Sequence, residues 1–160
     1  MAQIVDTFGQ LTPHEHKNVI ALLTELLQIA LDAEQGFIHA ARDTKGDRGL
    51  SALFEEYAGR RAVMAAQLRA CIEAHGGSAS IHGTLVGKAH RAFMDAVAAV
   101  VNGGSVRMLV ECERGEAFAL RKWESALDLK LPMEVSNLLL DQRSEIRATH
   151  DAFDKMRHPW

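Results

Sequence analysis

Apolar residues recur at alternating three- and four-residue intervals through four long stretches of the chain, a spacing that predicts amphipathic helices. Thr12-Pro13-His14-Glu15 reads as a capping box, with Thr12 as N-cap and Pro13 at the first helical position, opening a helix that runs to about Arg42. Its buried stripe is Leu23, Leu27, Ala30, Glu34, Phe37 and Ala41. After the polar turn Asp43 to Gly49, the residues Leu50, Leu53, Phe54, Tyr57, Met64, Leu68, Cys71 and Ile72 predict a second helix, stopped at His75-Gly76-Gly77. A shorter, alanine-rich helix is expected from Thr84 to about Val101, ending at Asn102-Gly103-Gly104. Ser105 then caps a helix to about Leu129, whose stripe is Leu109, Cys112, Glu116, Ala119, Trp123 and Leu127. Pro132 opens the last, through about Met156, with Val135, Leu138, Leu139, Ile146, Phe153 and Met156 on one side.

No stretch shows the strict alternation of a strand, so the fold is read as all-α and residues 1–160 as a single domain. Helices of about 25 residues are roughly 37 Å long. Short turns join the first helix to the second and the third to the fourth, whereas the middle connection carries its own helix. That connectivity is the ferritin-like, up-down-down-up version of the four-helix bundle, with an extra crossover helix between the second and third bundle helices.

Composition narrows the partners. With 18 basic and 21 acidic side chains and a formal net charge of -3, no electrostatic footprint for nucleic acid or a membrane surface is visible. No apolar run is long enough to span a bilayer, and the opening Met-Ala-Gln-Ile-Val-Asp lacks the features of a secretory signal. Two cysteines, Cys71 and Cys112, lie within helical patterns without metal-ligand spacing, which suits a reducing compartment. A cytoplasmic location is therefore expected.

The chemistry centres on Glu34 and Glu116, each interrupting an apolar stripe. An isolated buried charge is too costly, so each must be paired, metal-bound or protonated. Carboxylate-bridged di-metal bundles take a Glu from each of two helices and Glu-x-x-His from each of the other two. Glu34, Glu56, Glu113, Glu116 and His150 are the candidate metal ligands, with iron or manganese as the cation; Asp32, His39 and Glu145 lie nearby in sequence. The set is incomplete. Glu55 and Glu56 are followed by Ala58 and Gly59 where a histidine belongs, and Glu145 stands five residues from His150, so neither helix has Glu-x-x-His. The first reading is accordingly metal-free: Arg60 or Arg61 donates a bidentate fork to Glu34 or Glu116, and Gln142 and His150 satisfy the remaining lone pairs.

Other features carry less. His14-Glu15-His16 places alternate residues on different helix sides, and the capping box already accounts for Glu15. Gly83-Thr84-Leu85-Val86-Gly87-Lys88 is one residue short of a phosphate loop, and Ala89 replaces its hydroxyl residue. Cys71, Cys112, Met64, Trp123 and Phe153 are core filler at helical spacing.

Asp32, Gly36-Phe37, Ala40-Ala41, Arg60, Gly76-Gly77, Gly83, Gly87, His90-Arg91, Glu113-Arg114-Gly115-Glu116, Ala126-Leu127 and His150-Asp151 together form a pattern that resembles a bacterial family of ferritin-like four-helix-bundle proteins of unknown function. The resemblance runs from about Leu22 to Met156, and its most specific pieces are the Gly-x-x-x-Gly-x-x-His-Arg crossover and Glu-x-Gly-Glu. It implies a fold and a set of shared polar residues but names no substrate. By family analogy it implies a stress-related, non-catalytic or weakly metal-binding bundle that forms homo-oligomers or holds a partner. The wider ferritin-like group implies the alternative, a di-iron or di-manganese carboxylate protein acting on oxygen, peroxide or iron. A storage cage subunit is a third expectation without supporting features.

Overall fold

The computed structural model describes residues 11–79 and 104–158. Four helices make up this part, α1 (Pro13–Asp43), α2 (Arg48–Ala74), α3 (Gly104–Leu127) and α4 (Met133–Arg157), and no strand occurs among the described residues. The crossover helix expected over 84–101, with Gly83, Gly87 and His90-Arg91, lies outside the described residues.

The caps follow from the chain. At the start of α1, Glu15 N–H donates to Thr12 Oγ1 at 3.2 Å and Thr12 N–H donates to Glu15 Oε2 at 2.7 Å, so the expected capping box is formed. These bonds hold the Glu15 carboxyl below its ordinary value, chiefly through the Thr12 backbone. Helix α2 begins at Arg48 rather than Leu50, because Asp47 accepts from Leu50 N–H at 3.0 Å and caps it two residues early.

At the far end of α2, Gly76 takes φ +74°, Gly76 N–H bonds to Glu73 O and Gly77 N–H to Ile72 O, both at 2.9 Å. This is the paired-bond ending that favours glycine in the left-handed region. Gly77 is confined for a different reason: a Cβ there would sit 2.8 Å from Ile20 Cγ2 and 2.9 Å from Ile72 Cγ2. Gly77→Ala is therefore expected to destabilise the protein by about 1–3 kcal/mol through overpacking, measured by urea denaturation.

Helix α1 packs along α2 and α3 along α4, while α1 also touches α3 and α2 touches α4. Two apolar cores result. One gathers Val19, Leu23, Leu27, Leu68, Ile72, Trp123, Val135 and Leu139, among others. The second is aromatic: Phe37, Phe54, Tyr57 and Phe153 stack with centroids between 5.3 and 6.2 Å, alongside Met108. No helix among the described residues is long and apolar enough to cross a membrane.

Candidate functional site

Arg61 and Glu116 are each only 2% exposed and form an ion pair inside the bundle, Arg61 Nη2 donating to Glu116 Oε2. Both positions follow from helical phase. On α2, Tyr57, Arg61, Met64 and Leu68 fall on one stripe, and on α3, Cys112, Glu116, Ala119 and Trp123 do the same. The pair thus ties α2 to α3 in the layer between the two cores.

The guanidinium is incompletely satisfied. Its Nη1 donates to Met64 Sδ at 2.9 Å, a weak acceptor, and its carbon lies 5.9 Å from the centroid of the Phe37 ring. Its buried Nε–H has no acceptor. The expected bidentate fork is therefore a single bond, and the pull of Arg61 on Glu116 is correspondingly limited. Burial pushes the Glu116 carboxyl up, to about 7, against the opposing pull of Arg61 and, more weakly, of His150; Glu145 adds to the upward push. Burial likewise raises the neighbouring Cys112 thiol, leaving it without thiolate character.

The remaining members of the expected set are spread over the molecule. Arg60 faces outward, where its Nη2 meets Glu56 and its Nη1 donates to Glu145 Oε1 at 2.8 Å. Glu113 accepts from Arg157 of α4. His150 is partly exposed, with Nδ1 3.1 Å from Asp151 Oδ1. Glu34 is half-buried and makes no ion pair among the described residues. Asp32 accepts from Gln28 Nε2 at 2.8 Å, and His39 Nδ1 bonds the Gln35 carbonyl at 2.7 Å. Among the described residues no group of three or more His, Cys, Asp and Glu side chains converges in a way that could hold a metal ion.

Gln142 is buried as expected of a network residue, yet it serves a different partner. Its Oε1 accepts from Trp123 Nε1 at 3.1 Å, and its Nε2 donates to Met64 O at 3.2 Å and Gln67 Oε1 at 3.1 Å. Trp123 is thus more than filler, because a buried indole N–H needs an acceptor and Gln142 supplies it. Sequence reasoning missed this link and also His75, which is buried at the end of α2. The signal was present in both cases: a tryptophan in an apolar stripe requires an acceptor, and a histidine at a helix stop sits where carbonyls are open.

A family profile described as a domain of unknown function (DUF2383) matches residues 18–129, most of the chain. No curated protein and no solved structure matches the chain.

Proposed function

The chain belongs to this family of domains of unknown function (DUF2383), and we propose that it is a ferritin-like bundle whose interior carries the Arg61–Glu116 pair instead of a metal centre. On this reading it is one non-catalytic domain, working through self-association or by holding a partner. The arrangement up-down-down-up is supported by which residues meet. Phe37 meets Phe54, Trp123 meets Gln142, Tyr57 meets Phe153, and Arg61 meets Glu116, so α2 and α3 run the same way and α1 and α4 the other. The C-terminal end of α2 and the N-terminal end of α3 then lie at opposite ends of the bundle, as this topology requires.

The observation that carries the reading is the partner of Glu116. A di-metal centre needs several carboxylate oxygens turned toward two hard cations. Here Glu116, Glu113 and Glu56 each face a guanidinium, so the positive charge is supplied by Arg61, Arg157 and Arg60. Glu34 and His150 remain, and they do not make up a di-metal donor set with those acids. Among the described residues this set does not fit two metals.

Elemental analysis of protein produced in iron- and manganese-supplemented medium tests this directly. We expect below about 0.1 metal per chain; a value near two, abolished by Glu116→Ala, would instead establish the di-iron or di-manganese alternative. Light scattering then separates a small homo-oligomer from a cage.

A further inference from the structure

Helix α2 turns Phe54, Tyr57, Arg61, Leu68 and Ile72 into the bundle. Between Glu55 and Arg69 its outward face is made of Gly59, Ala62, Val63 and Ala66; all but the half-buried Ala62 are exposed, Val63 by 58%. This bare stretch is about 21 Å long. Nothing inside the bundle asks for its smallest member, since a Cβ at Gly59 would meet no atom within 4 Å, and glycine in a helix interior is unfavourable relative to alanine. Glu55, Gly59, Ala62, Ala66 and Arg69 keep an unbroken four-three spacing, the repeat with which one helix packs along another, and the same rhythm continues outward to Arg48 and Glu73. Arg48, Glu55, Arg69 and Glu73 are all exposed, and none forms an ion pair among the described residues. On the flank toward α4, by contrast, Glu56 and Arg60 are engaged with each other and with Glu145.

We propose that a second copy of this chain docks on this face, α2 lying antiparallel against α2 about a two-fold axis at Ala62. The proposal rests on the self-association read above and gives it a surface. From Arg48 to Glu73 the face runs plus, minus, apolar, plus, minus, and in reverse order each sign meets its opposite. That order makes a copy of this chain the occupant, because a two-fold contact sets each position against its own counterpart reversed. Glu55 and Arg69 lie seven residues to either side of Ala62, so Glu55 faces Arg69 of the partner subunit, and does so twice. Further out, Arg48 and Glu73 of the partner subunit are offset by about 4.5 Å along the helix, which the long arginine side chain spans. Between the charged pairs, the small side chains at Gly59, Ala62 and Ala66 let the two backbones approach closely. Parallel docking would set Glu55 against Glu55 and Arg69 against Arg69, so the charges also select the direction.

Sedimentation equilibrium of the full chain tests the face by charge reversal. Wild type is expected to be dimeric at about 100 μM. Glu55→Arg and Arg69→Glu each bring like charges together twice and are each expected to weaken dimerisation about tenfold or more. Helicity by circular dichroism should not change, because neither residue forms an ion pair among the described residues. Mixed in equal amounts, the two variants are expected to pair with each other at wild-type strength, since every contact is again between opposite signs. Gly59→Leu, which fills the point of close approach while its Cβ meets nothing within 4 Å, is expected to weaken dimerisation as well, and it decides the matter if a charge variant does not fold. A monomeric wild type, as a different protein or another part of this chain on the face would give, overturns both the proposal and the self-association on which it rests. Self-association that survives all three substitutions, or charge variants that do not recover on mixing, overturns the α2 face alone.

Discussion

Replacing Glu116 with alanine is expected to lower the free energy of unfolding by about 3–5 kcal/mol, because it leaves the Arg61 guanidinium buried with no carboxylate. For a chain of this length that is a fall in Tm on the order of 10 °C. Arg61 has little to fall back on. Its other contacts are a thioether and an aromatic ring, and its Nε–H already lacks an acceptor. The informative control is the double variant Arg61→Met with Glu116→Leu. Apolar groups of similar volume in the layer between two apolar cores are expected to bring stability back to within about 1 kcal/mol of wild type, or above it. A Glu116→Ala cost below about 1 kcal/mol, measured by urea denaturation, would mean that Arg61 finds another partner and that the pair is incidental to the bundle.

The helices, the caps at Thr12 and Gly76 and the inward face of Glu116 were legible in the sequence because each rests on local spacing. The choice between Arg60 and Arg61 was legible in principle. Tyr57, Arg61, Met64 and Leu68 keep the 4, 3, 4 rhythm of the α2 stripe, whereas Arg60 is a third of a turn away, where it meets Glu56 and Glu145. Glu34 shows where periodicity runs out. It lies in the middle of an α1 stripe whose other members are buried, yet it keeps partial access to water. Stripe position fixes direction but not depth, and a carboxylate with no cation opposite it among the described residues is held at the depth where water still reaches it. Pairings between helices distant in sequence, such as Trp123 with Gln142 or Glu113 with Arg157, depend on relative axial offset, which no single helix encodes.

The Glu116 pair also sets how stability responds to pH. A carboxyl raised to about 7 in the folded protein from an ordinary value of 4.5 binds its proton more tightly when folded than when unfolded. Its contribution is thus fully present below about pH 4.5 and is lost as pH rises through 7. The difference of these two values corresponds to about 3 kcal/mol. Glu116→Gln, which keeps shape and polarity but cannot ionise, is expected to flatten this alkaline decline between pH 5 and 8. An equal slope in the variant would show that Arg61 keeps the wild-type carboxyl ionised throughout. His75 works in the opposite sense: its depressed imidazole leaves stability intact above about 6.5 and erodes it as pH falls below. Between about pH 4.5 and 7 the two effects oppose each other, so the pH slope of wild type should be shallower there than that of His75→Asn, in which the Glu116 decline stands alone. The two contributions are separable because Glu116→Gln removes the loss with rising pH and His75→Asn the loss with falling pH.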